Sequence, residues 1–474
     1  MFPRLAPNTG VNDKILRMMV RLAILLTLAM TGVAAADDGL GIDDYVRRKM
    51  RDHLIPGTAV VVIRDGAVVH RNGFGELAPD SPIIIGSLSK AFTATALLQL
   101  VDAGRVRLDA PVVTYLPDFA MADPDARKIT VRQLLNQNSG IPSSAARAAS
   151  NDASLAEHVA ALRDVPLETR PGERHIYSSP NYQVLGRLVE VVSGQPFGSY
   201  VESHIFRPLQ MSRSAADAGR VAPVPGHNIW WGVSGPTAYR WEPGRLPTAS
   251  LIASADDMGK FALAQLGAGT ARPLLSAESL AEAHRGAAKS EGFSYAMGWR
   301  DGTTAGVPSL WHGGALPSYR GAVVLLPQSR SAVIVFANSS SLFADHTREI
   351  AAGIVGLLHG KPVRNVFRPL RYTYLAIAIG AALLVMLQVR TLVRALRGTE
   401  RKRHATAKVV LLDIVLPLAV LLMVPRFVRV SWRGIFESAP DLAVTAAVTV
   451  ALTIVTAVVR LRRGRAGVEP LLSS

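Results

Sequence analysis

The sequence predicts an α/β chain of the α+β kind, with an antiparallel sheet flanked by helices, a mainly helical subdomain, and three transmembrane helices after them. Three observations lead there. First, hairpin signals stand near both ends of the stretch 37–362. Thr58–Ile63 and Ala67–Asn72 flank Asp65-Gly66, and Gly321–Leu326 and Ala332–Ala337 flank Pro327-Gln328-Ser329-Arg330. Second, helical periodicity dominates between them, at Ser89–Ala103, Leu155–Leu162, Asn181–Ser193 and Ala255–Leu266, with Ser341–Leu358 reading as an amphipathic helix after the last strand. Strands from both chain ends with helices inserted imply one sheet backed by helices. Third, the stretches 374–389, 409–424 and 442–459 are apolar over nearly the length of a membrane span.

Three segments follow from this. In residues 1–36, Lys14, Arg17 and Arg21 precede an apolar run from Leu22 to Val33 and then Ala34-Ala35-Ala36, the pattern of a signal peptide cleaved near Ala36; an uncleaved anchor is the alternative. Residues 37–362 form the main domain, and 363–474 the membrane region, entered through the linker Arg364–Arg371. Between the first and second spans lie Arg390, Arg394, Arg397, Arg401, Lys402, Arg403 and Lys408, and after the third come Arg460, Arg462, Arg463 and Arg465. The positive-inside tendency puts both basic segments in the cytoplasm and the main domain outside. A multi-pass protein of the bacterial cytoplasmic (inner) membrane is expected, with its domain on the periplasmic side.

Of the net charge of +16, residues 1–36 carry +3 and 363–474 carry +12, which leaves the main domain near +1. The basicity belongs to membrane topology, and nucleic acid is not an expected partner, whereas membrane lipid is. There are no cysteines, which excludes thiol nucleophiles, thiolate metal sites and disulfides.

The chemistry concentrates in Ile85-Gly86-Ser87-Leu88-Ser89-Lys90-Ala91-Phe92-Thr93. A serine and a lysine three apart at a helix start share one face. A serine hydroxyl needs a neighbouring base, and a lysine serves as one when burial lowers its pKa. Lysine is scarce, nine against 43 arginines, and this one precedes an apolar run to Leu100. Ser89 is the rival serine but has no lysine at i+3.

Further along stand Ile129–Leu135, Ser139-Gly140-Ile141-Pro142, Pro171-Gly172, Tyr177-Ser178-Ser179, Asn181–Gly186, Ile205–Leu209, Ala253–Met258, Tyr295–Trp299 and His312-Gly313-Gly314. In order and spacing these phrases, from about Asp43 to about Leu358, resemble the serine β-lactamase and penicillin-binding-protein superfamily, in its class C β-lactamase-like branch. The resemblance implies a β-lactamase/DD-peptidase-like fold with the site in a cleft between two lobes. It also implies Ser87 as nucleophile, Lys90 as its base, Tyr177 as a proton shuttle, and the backbone amides of Ser87 and Ala315 as oxyanion donors.

Two departures matter. Ser179 stands where the family usually has asparagine, which removes a carboxamide's paired donor and acceptor. His312 stands where lysine is common, replacing a permanent charge by an imidazole that could hydrogen-bond Tyr177 or the substrate. Gly313 and Gly314 would let substrate backbone approach. No G-x-S-x-G and no H-E-x-x-H occurs, and neither metal nor cofactor is expected.

The sequence therefore reads as a membrane-anchored, outward-facing serine hydrolase. It would work through a covalent acyl-enzyme on an amide or ester: a β-lactam, a D-amino-acid peptide or a carboxylic ester, cell-wall-derived substrates among them. The alternative is a covalent-binding sensor of β-lactams or cell-wall peptides with negligible turnover. A transporter role lacks support, because Asp413 is the one charge deep in a span.

Overall fold

The structure, a computed structural model, describes residues 41–237, 239–269, 273–363, 367–398, 423 and 432–466. The expected signal peptide lies outside them.

The central sheet uses eight strands: Gly57–Arg64 (β1), Ala67–Gly75 (β2), Ala288–Ser290 (β3), Phe293–Tyr295 (β4), Arg300–Thr304 (β5), Val307–Leu316 (β6), Tyr319–Leu326 (β7) and Ser331–Ala337 (β8). Their order is β2-β1-β8-β7-β6-β5-β4-β3, antiparallel throughout. Both expected hairpins are present, and β1 pairs with β8 from Thr58↔Ala337 to Ile63↔Ala332. Strands from the two ends of the domain thus meet in mid-sheet.

Alternation of side chains gives the sheet two buried faces. On one, Ala59, Val61, Ile63, Val323 and Ile334 lie under the helix Ala255–Gln265, whose Phe261 ring stacks at 4.1 Å on Phe92 of the helix Ser89–Asp102. The helix Ser179–Ser193 packs against Ser89–Asp102 and joins the same core. On the other, Val60, Val62, Val324 and Val335 pack against Tyr45 and Val46 of the helix Ile42–His53 and against Ile350 and Ile354 of the helix His346–Leu358. That last helix starts at His346 and not at Ser341, because the Asp345 side chain caps it by accepting from the Arg348 N–H.

Among the described residues two helices are long and apolar enough to cross a membrane: Leu370–Arg397, mean hydropathy 2.0, and Pro440–Arg460, mean hydropathy 2.4. The described residues thus carry two candidate spans where three were expected, because the middle stretch 409–424 lies outside them except for residue 423. The first helix begins before its apolar stretch and runs past it to Arg397, since helix-forming Leu and Arg residues continue on both flanks. The two pack together, with Gln388 Nε2 3.4 Å from both Thr449 O and Thr453 Oγ1. They also dock on the domain: Arg371 pairs with Asp52 at 3.1 Å, and Leu370 and Tyr374 are buried with Ile229 and Ala344.

Candidate active site

Ser87 stands on the short 3₁₀ turn Gly86–Leu88 that leads into Ser89–Asp102. In a 3₁₀ turn residues i and i+3 eclipse, so Lys90 comes directly over Ser87, with Nζ 3.2 Å from Oγ. The turn starts from Gly86 at φ +56. A Cβ there would lie 2.7 Å from the Ala315 amide nitrogen, and one on Gly314 would lie 2.0 Å from Ile85 O. Two glycines therefore bring β6 against the nucleophile turn, and the Ala315 amide beside Ser87. An oxyanion hole requires two N–H groups near the developing charge, and the close approach of these two segments is compatible with one.

Ser89–Asp102 is buried on nearly all sides, which takes Lys90 wholly out of water. Its ammonium donates to Thr248 O at 2.9 Å and lies 3.4 Å from Ser179 Oγ and 5.0 Å from the centre of the Tyr177 ring. Among the described residues no carboxylate forms an ion pair with it. Burial pulls its pKa below the ordinary lysine value; Tyr177 opposes that shift, while Arg245 and Arg300 add to it. For Tyr177, burial works to raise the phenol, yet Lys90, Arg300 and hydrogen bonds with Ser87 and Lys90 outweigh it, and the pKa is lowered. A base form of this pair is thereby favoured next to Ser87.

Ser179 opens the helix that follows Tyr177, which is why its hydroxyl faces Lys90. Asn181, two residues on, is buried; it accepts from Ser139 Oγ at 2.6 Å and donates to Gln137 Oε1 at 2.7 Å, so it does not stand in for the family's asparagine. The Ser89 hydroxyl is likewise structural, accepting from the Leu251 N–H at 3.3 Å.

His312 has a different partner from the expected one. Its imidazole is fully buried, with Nδ1 donating to Gly313 O at 2.8 Å, which leaves Nε2 to accept from Tyr295 Oη at 3.2 Å. Its ring lies 6.1 Å from that of Tyr177. Burial, then Arg300 and Lys90, hold it neutral, with its pKa well below the usual histidine range. It braces the wall behind Tyr177.

Sequence reasoning missed Arg300. Cross-strand pairing of Trp311 with Arg300 lays its guanidinium over the site, 4.8 Å from the Trp311 ring and 5.3 Å from the Tyr177 ring. Among the described residues it has no carboxylate partner. The β5–β6 ladder ends at this pair, so His312–Leu316 keeps partners on β7 alone and leaves its other edge open above the site.

The β-lactamase family profile matches residues 42–355. The chain belongs to the serine β-lactamase and penicillin-binding-protein superfamily. Penicillin-binding protein 4 of Amycolatopsis lactamdurans is 31% identical over 347 residues, 67% of this chain and 90% of that protein. The octameric penicillin-binding protein homologue from Pyrococcus abyssi superposes with a TM-score of 0.61 at 25% identity, covering 68% of this chain and 77% of that one. A class C β-lactamase from Rhodobacter sphaeroides shares the fold, with a TM-score of 0.57 at 21% identity over 67% of this chain and 98% of that one. This β-lactamase-family chain is a serine hydrolase of small-molecule or peptide substrates.

Proposed function

We propose that the chain is a membrane-anchored hydrolase whose domain faces outward, and that Ser87 forms its acyl-enzyme. The acyl-enzyme is carried by a wholly buried Lys90 with hydroxyls, a phenol and a carbonyl around it in place of a carboxylate, and the anchor is supported by the two long apolar helices. Ser87 Oγ attacks the substrate carbonyl and its proton passes to the Lys90–Tyr177 pair. The Ser87 and Ala315 amides hold the oxyanion. The pair returns the proton to the leaving nitrogen or oxygen as the C–N or C–O bond breaks. Water then attacks the ester, its proton follows the same route to Ser87 Oγ, and the acid is released. His312 acts as a positioning residue through Tyr295.

Arg300 narrows the substrate class. A guanidinium beside the open edge of β6 offers a carboxylate two parallel hydrogen bonds, and so supplies the charge that His312 does not. Substrates bearing a carboxylate near the scissile bond, as penicillins and peptide C-termini do, fit this better than neutral esters.

Intact-mass analysis of the full chain in detergent micelles, incubated with a fluorescent penicillin, tests the assignment, with a p-nitrophenyl ester assay alongside. A Ser87-dependent adduct that forms and decays, absent in Ser87→Ala, is the expected result. An adduct that persists without turnover favours the sensor reading. Folded protein with neither adduct nor ester turnover, or with both retained in Ser87→Ala, overturns the assignment of Ser87.

A further inference from the structure

Six large apolar side chains are exposed on the described part of the main domain, and three of them, Trp230, Trp231 and Val233, share one small ribbon. The ribbon pairs Gly226–Trp230 with Val233–Thr237 and turns through Trp231 at φ +50 and Gly232 at φ +84. Two positive φ values make the tight, strand-compatible kind of turn that normally carries Asn-Gly. A bulky residue at the first of them is disfavoured. At this tip Trp230, Trp231 and Val233 are 43%, 40% and 70% exposed respectively.

The tip meets the two long helices at one level. The Trp231 N–H donates to Asp441 Oδ2 at 3.3 Å, beside the start of Pro440–Ala466, and a Cβ on Gly232 would lie 3.5 Å from that of Tyr374, in the second turn of Leu370–Arg397. Asn228 Nδ2 donates to Glu437 O at 2.8 Å in the short helix Trp432–Ser438. Tyr372 and Phe436 are exposed there as well. With 28 residues, Leu370–Arg397 is about 42 Å long at ~1.5 Å per residue, longer than a hydrocarbon core of about 30 Å. Its apolar stretch begins only at Tyr374, so in a bilayer the first turn would stand at headgroup depth, where Trp and Tyr concentrate.

The other end of the ribbon touches the catalytic wall. Gly226 lies against Ser318, in the β6–β7 turn that follows Ala315, and against Tyr319 at the start of β7, whose Oη donates to Val224 O at 2.6 Å. At ~3.3 Å per residue, Gly226 and Trp230 are about 13 Å apart.

We propose that the Trp230–Val233 tip is a lipid-contacting element, seated in the headgroup layer of the bilayer that holds the two helices, and that it fixes the β6–β7 turn, and with it Ala315, at a set height above that surface. This rests on the membrane-anchored reading above, and the test separates the two. Because the chain has no cysteine, single-cysteine variants can be spin-labelled cleanly in full-length protein reconstituted into phosphatidylethanolamine–phosphatidylglycerol nanodiscs. Val233→Cys reports the tip, Ile379→Cys the first long helix, and Val68→Cys the far end of the β1–β2 pair, opposite Ile63. Oxygen and nickel-chelate accessibilities should place Ile379 in hydrocarbon, Val68 in water, and Val233 at headgroup depth with nickel accessibility several-fold below that of Val68. Ile379 in hydrocarbon with Val233 as accessible as Val68 overturns the proposal and leaves the anchor standing. Ile379 in water overturns both.

Discussion

Lys49 and Lys90 are both buried on helices that lie on opposite sides of one sheet, yet their surroundings differ in kind. Lys49 Nζ lies 2.5 Å from Glu349 Oε1, and the second oxygen of Glu349 lies 3.2 Å from His53 Nε2. Burial works to raise that carboxyl, but His53 and Lys49 hold it below the ordinary range, so the charge of Lys49 is matched. Lys90 has no such match. Equal burial thus gives a closed structural pair in one place and a reactive group in the other, and the carboxylate makes the difference. An uncompensated ammonium inside a protein costs stability, which the fold bears in return for a base beside Ser87.

The largest effect should come from exchanging the roles. Lys90→Met removes the base and lowers the rate of acylation by about 10²–10⁴-fold, the usual worth of general base catalysis. It should also leave the domain as stable as before or more so, because no buried charge remains; a lower melting temperature would contradict that reading of Lys90. Lys49→Met does the reverse. Taking the ammonium away from the buried Glu349, which keeps His53, costs about 3–5 kcal/mol in denaturant unfolding, while acylation per folded molecule is unchanged. Loss of activity in folded Lys49→Met would erase the distinction.

Arg300→Gln sharpens the comparison by removing a cation that faces both Lys90 and Tyr177. Loss of charged hydrogen bonds worth about 1.5–3 kcal/mol should weaken carboxylate-bearing substrates roughly 10- to 100-fold and spare neutral esters. The charge of Arg300 lowers the pKa of Lys90 and of Tyr177, so its removal raises both. The rising limb of kcat/KM, measured on a neutral ester, should therefore move to higher pH. A limb that stays in place would mean that Arg300 is shielded from the pair.

Much of the site was legible because its spacing is local. Ser87 and Lys90 are bound by one turn, and both hairpins announced themselves through Asp65-Gly66 and Pro327–Arg330. What escaped depends on register between distant segments. Arg300 reaches the site only through its pairing with Trp311, and nothing near Arg300 in the sequence marks that partner. The Thr248 carbonyl that receives Lys90 could belong to any residue type. The burial of His312 was within reach, since strand alternation groups it with Leu310 and Gly314, both buried, and sets Trp311, Gly313 and Ala315 on the more open side. The family position drew attention to its chemistry and away from the face it occupies.

The meeting of β1 and β8 in mid-sheet bears on how the molecule is made. Thr58 cannot find Ala337 until nearly the whole domain has emerged, since a contact of such sequence separation closes a very long loop. Until then β1 and β2 form a lone hairpin with an open apolar edge, and the first long helix follows Ala337 by only a few dozen residues. Completion of the sheet therefore falls close in time to synthesis of the helix Leu370–Arg397, and a chain that stalls before Ser331 presents an unfinished sheet to chaperones and proteases.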